Sequence, residues 1–155
     1  MKKGLLVVAT HFILLACATA QQPDDALQKN RAFTGATADQ KNYKAIYQLD
    51  NGDPKIIDKA IININNALSD PRFGGKIKIE LIAFSGGSDA YLKGSKYEEQ
   101  LKDLVSKGVI VAQCNNTLIL RKISRDQLYD FIAVVPSGNG ELILRHADRW
   151  AIVKP

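Results

Sequence analysis

Short apolar runs alternate with helical patterns five times between residues 43 and 153, and this alternation constrains the fold more than any other feature. The predicted strands cover residues 44–49, 76–84, 109–114, 131–135 and 150–153. They are too short for helices, most are rich in β-branched residues, and the connections between elements are short. This series predicts a single three-layer α/β domain with a mainly parallel five-stranded sheet and helices on both faces.

Local signals mark where several helices begin. Asp53 and Pro54 form a favoured pair of N-cap and first helical residue, and apolar residues then recur at helical spacing. Ser95 and Glu98 have the spacing of a capping box, which predicts a second helix starting there. After a loop, a last helix is expected over residues 141–147.

The first 20 residues have the layout of a secretory signal peptide. Lys2 and Lys3 precede a mostly apolar run over residues 4–16, and a small-x-small cleavage pattern ends at Ala20. The run is too short to act as a membrane-spanning stop-transfer helix. Residues 21–42 are polar and lack periodicity, so they are predicted to link the leader to a domain over residues 43–155.

Cys17 supports a second interpretation of the leader. Residues 14–17 resemble a bacterial lipoprotein signal, in which the cysteine is lipidated and becomes the mature N-terminus. An uncleaved anchor is the third alternative. All three predict a periplasmic or cell-envelope location, with membrane contact only through an anchor in the leader.

The charge pattern argues against nucleic-acid binding. Removal of Lys2 and Lys3 lowers the 21 basic residues to 19 against 16 acidic ones, so the net charge falls from +5 to +3. The remaining basic residues are interspersed with acidic ones, whereas a nucleic-acid site requires a clustered basic face. We therefore expect no nucleic-acid partner.

Small and polar residues follow four of the predicted strands. They are Asn51; Ser85, Gly86 and Gly87; Cys114, Asn115 and Asn116; and Ser137 and Gly138. In a parallel sheet these segments meet at one edge, which is where ligands bind in open α/β sheets. Cys114 is the only thiol left after leader cleavage and is the candidate reactive residue, with the others as candidate substrate-binding residues.

Backbone N–H groups at glycines and helix starts favour an anion or a thiolate. They can also lower the pKa of a neighbouring cysteine, which suits sulfur transfer better than hydrolysis.

The residues at this edge also have simpler interpretations. Cys114 can be an inert buried side chain, Asn115 and Asn116 can cap a helix, and residues 85–87 can form a tight turn.

Other kinds of site have no support in the sequence. Residues 85–87 match neither a dinucleotide-binding fingerprint nor a P-loop, so no cofactor is expected. One cysteine and one histidine do not make a metal site. His146 is the only histidine outside the leader, and it lacks a third group to orient it as a catalytic base.

From the first predicted strand to the end, the chain resembles the DsrE/DsrF-like sulfur-relay superfamily. The segment from Gly108 to Thr117 with Cys114 carries the most specific part of the resemblance. Weaker matches are residues 84–87, residues 135–138 leading into Glu141 and Leu142, and the closing residues 152–155.

The resemblance implies a compact α/β fold that assembles into trimers or hexamers. It also implies that Cys114 matches a cysteine that carries a persulfide in some members, with a sulfur donor or acceptor protein as partner. Those members are cytoplasmic, whereas this chain carries an export signal. The alternative is a non-catalytic oligomeric binding or assembly domain with an inert cysteine.

Overall fold

A computed structural model describes residues 23–155. The chain divides into two compact units, Met1–Ala36 and Thr37–Pro155. The predicted signal peptide and the lipidation site at Cys17 lie outside the described residues. Among the described residues, no helix is both long and apolar enough to cross a membrane.

The first unit contains helix α1, Pro23–Arg31, inside the segment predicted to be a polar linker. Its charges explain why a segment without apolar periodicity is helical. Asp24 and Asp25 lie in the first turn, and Lys29 and Arg31 lie in the last, which complements the helix dipole. Lys29 Nζ also lies 2.8 Å from a carboxylate oxygen of Asp25.

The second unit has the predicted α/β fold. Its strands are β1 (Tyr43–Leu49), β2 (Ile77–Ala83), β3 (Ile110–Cys114), β4 (Ala133–Val135) and β5 (Ala151–Val153). They form one sheet in the order β4-β3-β2-β1-β5, and every neighbouring pair is parallel. The structure therefore confirms a five-stranded parallel sheet, with all carboxyl ends along one edge.

Helices cover both faces of this sheet. They are α2 (Pro54–Ser69), α3 (Glu98–Ser106), α4 (Asn115–Arg121) and α5 (Gly138–Ala147), with 3₁₀ helices at Ser85–Tyr91 and Arg125–Gln127. The larger core joins α2 and α3 to one face through residues such as Ile64 and Leu104. The smaller core lies on the other face, where Leu142 of α5 and Trp150 pack on Ile46, Ile82 and Ala112.

Of the two predicted helix starts at Asp53 and Ser95, the structure confirms the first and not the second. Asp53 caps α2 as predicted, because its carboxylate accepts a 2.9 Å hydrogen bond from the Lys55 amide. The predicted capping box at Ser95 was wrong. Tyr97 is the N-cap of α3 and has no side-chain cap, while the Ser95 hydroxyl donates to the Ala90 carbonyl at 2.8 Å.

Two segments predicted as loops or turns are helical. Residues 137–140 begin α5, because Ser137 is its N-cap and accepts a 3.1 Å hydrogen bond from the Gly140 amide. Residues 85–88 form the start of the 3₁₀ helix Ser85–Tyr91. Both segments lie at the carboxyl edge of the sheet, so they determine which backbone groups face the candidate site.

Candidate functional site

Cys114 is the last residue of β3 and the N-cap of α4. Its neighbour across the sheet is Val135, the last residue of β4, so the start of α5 follows close by in the chain. The side chain is only 5% exposed, which agrees with the expectation that a lone cysteine is often buried. The thiol nevertheless lines a small cavity of about 180 Å³ at the sheet edge.

The starts of two helices, α4 and α5, lie at the cavity that this sulfur lines. Burial is the largest single influence and raises the pKa of the Cys114 thiol. The amide of Gly138, the hydroxyl and amide of Thr117 and the amide of Asn116 oppose it, and the resulting pKa lies below the ordinary thiol value. The buried thiol is therefore held in surroundings that favour the thiolate.

Thr117 is the site residue that sequence analysis missed. It is the third residue of α4, and this position lies next to the N-cap in the first turn of a helix. Its hydroxyl accepts a 3.1 Å hydrogen bond from the Ser85 amide, so the hydroxyl proton is available to the sulfur. The position three residues after the cysteine was the signal that could have identified it.

The cavity also has an apolar side and further amides. Asn116, Ser137 and Asn139 line it together with Phe84 and Leu120. Phe84 and Gly138 are in close contact, since a Cβ on Gly138 would lie 2.8 Å from Cδ1 of Phe84. A glycine at position 138 therefore lets the first turn of α5 approach β2 and present its amide to Cys114.

Ser85 is joined to this site through its backbone. It has a left-handed backbone with φ 52°, and its carbonyl accepts a 2.9 Å hydrogen bond from Arg121 of α4. The same guanidinium donates to Asp89 at 2.7 Å. Arg121 and Thr117 thus hold the Ser85 backbone from both sides and tie the 3₁₀ helix to α4.

The remaining predicted residues lie away from the thiol cavity. Gly87 packs on the end of β1, where a Cβ on Gly87 would overlap the Leu49 carbonyl oxygen, and Gly86 packs on Asn51 and Gly52 just beyond it. Asn51 lines a separate polar cavity with Asp50 and Lys154, and Asn115 lines an open groove beside α4.

His146 is exposed on α5 and does not line the thiol cavity. Within residues 23–155, no cluster of three or more His, Cys, Asp or Glu side chains could hold a metal ion.

Several solved structures are similar to this chain, among them the following two. One is MTH1491 from Methanobacterium thermoautotrophicum, described as a protein of unknown function. It has a TM-score of 0.69 and 28% identity over 74% of this chain and 100% of that chain. The other is ychN from E. coli, with a TM-score of 0.58 and 16% identity over 75% of this chain and 100% of that chain.

No protein-family model matches the chain, and a search of curated proteins finds no match. The ychN protein belongs to the DsrE/DsrF-like superfamily. This chain has a DsrE-like fold. The fold that the sequence resemblance implied is therefore supported, and the similarity spans the full length of both solved chains.

Proposed function

We propose that this DsrE-like protein handles sulfane sulfur through a persulfide on Cys114. The observation that carries the proposal is the cavity that the Cys114 thiol lines together with Thr117 and Ser137, at the starts of two helices. There the Gly138 amide and the Thr117 hydroxyl lower the pKa of the thiol. These donors favour the thiolate, which is the nucleophile in thiol chemistry. The cavity of about 180 Å³ above the sulfur has room for a further sulfur atom.

The sulfur-loading step is a simple displacement. The Cys114 thiolate attacks an outer sulfur of a polysulfide chain, and one sulfur–sulfur bond breaks as the new one forms. The shortened polysulfide leaves with the electron pair, and Cys114 holds a persulfide anion. In unloading, an acceptor thiolate attacks the outer sulfur, and the Cys114 thiolate leaves under stabilisation by the same donors.

Intact mass measurement after incubation with polysulfide tests this proposal. The full chain is used with Cys17→Ser, so that Cys114 is the only thiol. We expect a mass increase of one or more sulfur atoms that a reductant removes. The variant with both Cys17→Ser and Cys114→Ser is the control and should gain no mass. A folded protein with Cys114 but without an adduct would contradict the proposal.

A second candidate function is assembly of copies of this chain, with Cys114 inert. Large apolar side chains on α4 and α5 are exposed: Ile119 at 68%, Leu120 at 84%, Ile143 at 69% and Leu144 at 67%. Contiguous exposed apolar surface is characteristic of protein interfaces. The two candidates differ in thiol chemistry, because an inert cysteine reacts only after the protein unfolds.

The proposed location follows from residues 1–20 alone. An exported form would act in the periplasm or cell envelope, away from the cytoplasmic partners of the sulfur-relay members that the chain resembles. Mass spectrometry of the mature N-terminus tests this location. Cleavage after Ala20 predicts an N-terminal Gln21, whereas lipidation predicts a modified N-terminal Cys17.

A further inference from the structure

A second and larger cavity lies on the face of the sheet that carries α2. It is a groove of about 750 Å³ beside the edge strand β5. Its floor is formed by Ala45 and Tyr47 of β1 with their register partners Ala151 and Val153 of β5. The groove shares no lining residue with the Cys114 cavity, so it is a separate site.

Small and aromatic side chains give this groove its shape. Ala45, Ala67 and Ala151 leave open space above the sheet. Tyr43 and Phe73 form one wall, with ring centroids 5.0 Å apart, and the Tyr43 hydroxyl accepts a 2.8 Å hydrogen bond from the Gln40 amide. A groove of this volume with aromatic lining suits a small apolar ring system.

The charges on the rim are not balanced. Lys44 Nζ lies 2.9 Å from a carboxylate oxygen of Asp148 and donates to the Asp148 carbonyl at the same distance. Asp148 also accepts a 3.0 Å hydrogen bond from the Trp150 indole. Arg149 lies on the same rim, and its guanidinium has no ion pair or hydrogen bond to any described residue.

An unused hydrogen-bond donor lies on the floor. Tyr47 is only 5% exposed, and its hydroxyl makes no hydrogen bond within the described part of the chain. Burial raises the pKa of Tyr47, so the hydroxyl keeps its proton. The Tyr47 oxygen is not sealed from solvent, so it can donate to an acceptor bound in the groove. Among the described residues, the groove therefore combines an apolar floor with one available donor, Tyr47, and one unpaired cation, Arg149.

We propose that this groove binds an aromatic carboxylate. The ring system packs on Ala45, Ala151 and Val153 and against the Tyr43–Phe73 wall. The carboxylate pairs with the Arg149 guanidinium, whose fork of donors matches a carboxylate group. Arg149 is the single unpaired cation among the described lining residues and matches one negative charge, which favours a carboxylate over a phosphate dianion. This site does not depend on the function of Cys114.

The backbone at Arg149 makes a clean test variant available. Arg149 has a left-handed conformation with φ 61°, just after the end of α5. Glycine adopts this conformation more easily than arginine, so Arg149→Gly removes the guanidinium without adding backbone strain. Lys122 follows α4 with φ 54° and lines a different groove, so Lys122→Gly is a matched control.

Titration with 2-naphthoate, followed by amide chemical shifts and by calorimetry, tests the proposal. We expect saturable shifts at residues lining the groove and a dissociation constant that rises about tenfold in Arg149→Gly. Lys122→Gly and Cys114→Ser should bind like the unaltered chain. The neutral isostere 2-naphthalenemethanol should bind to the unaltered chain about tenfold more weakly than 2-naphthoate does. To Arg149→Gly the two probes should bind with equal affinity.

Three results would overturn the proposal. The first is equal binding of the two probes to the unaltered chain, which would mean an apolar groove without anion recognition. The second is equal loss of affinity in Arg149→Gly and Lys122→Gly, which would indicate a general charge effect. The third is absence of naphthoate binding by the folded chain, whether it sediments as a monomer or as an oligomer. None of these results would affect the proposal for Cys114, which the polysulfide loading experiment tests separately.

Discussion

At the residue scale, the environment of Cys114 combines burial with a lowered pKa. Burial alone raises the pKa of a thiol, so donors must more than compensate for the lost water. The Thr117 hydroxyl is the donor best suited to substitution, because it belongs to a side chain and is itself held by the Ser85 amide. The Gly138 and Asn116 amides cannot be removed so simply.

Thr117→Val should raise the pKa of the Cys114 thiol. Valine has nearly the same shape as threonine but no hydroxyl, so the sulfur loses one donor while its packing is kept. At neutral pH the thiolate fraction falls, and the rate of alkylation by iodoacetamide should fall several-fold. Thr117→Ser keeps the hydroxyl and is the control. An unchanged pH profile in Thr117→Val would show that the hydroxyl does not act on the sulfur.

Glu80 is a second residue with unusual surroundings. It lies in β2 with 0% exposure, and its Oε2 lies 2.6 Å from Nη2 of Arg145 on α5. Its Oε1 has no hydrogen-bond partner among the described residues. Burial raises the pKa of Glu80; the Arg145 charge lowers it, and the Glu141 charge raises it, leaving a pKa above the ordinary value.

This raised pKa makes a prediction about stability and pH. The folded state binds the Glu80 proton more tightly than the unfolded state. Protonation of Glu80 therefore adds most to the free energy of unfolding below about pH 4.5. It is lost as the pH rises through the folded pKa. Glu80→Gln cannot titrate, so the stability of the unaltered chain relative to this variant should fall with rising pH. Urea unfolding from pH 4 to 8 measures the free energy of unfolding of both proteins. If the unaltered chain gained stability relative to Glu80→Gln with rising pH, the pKa of Glu80 would be lowered and not raised.

At the scale of elements, the carboxyl edge is held together by close backbone packing. The 3₁₀ helix Ser85–Tyr91 approaches β1 so closely that glycine is required at position 87. Gly86 is in a similar position, since a Cβ there would lie 2.8 Å from the Gly52 amide nitrogen. These glycines give the edge its shape, and the ligand contacts predicted for them remain a prediction.

Gly87→Ala should therefore be costly. The added Cβ would overlap the Leu49 carbonyl, and we expect a loss of about 2 kcal/mol or more in the free energy of unfolding. Gly94→Ala is the comparison, because position 94 has open space but a φ of +87°. It should lose only about 1 kcal/mol from backbone strain. Equal losses in urea unfolding would show that the close contact at Gly87 is not rigid.

Elements whose signals are local could be predicted from the sequence. The five strands and α2 follow from apolar periodicity and from Asp53 and Pro54, and the position of Cys114 at a strand end follows from the same pattern. The donor from Gly138 could not be predicted, because it depends on how α5 packs beside β3. Burial of Glu80 could not be predicted either, because it also depends on the packing of α5. The polar and apolar residues at the start of β2 alternate, which is typical of a strand with one solvated face.

At the scale of the whole molecule, exposed apolar surface on α4 and α5 argues for self-association. We expect the full chain to sediment as a trimer or hexamer. Leu144→Lys places a charge in the exposed apolar surface of α5 and should shift the population to monomers. Ile62→Lys on α2 is the control, because Ile62 is also exposed but lies on a helix of the opposite face. A monomer before any substitution would contradict this prediction.

The most direct test of the account is the pH dependence of Cys114 alkylation in the folded chain with Cys17→Ser. The donors from Gly138 and Thr117 predict that iodoacetamide reacts without unfolding, with an apparent pKa below that of an unperturbed thiol. Labelling that occurs only in denaturant, or an apparent pKa above that of a free thiol, would show that burial prevails and that Cys114 is inert.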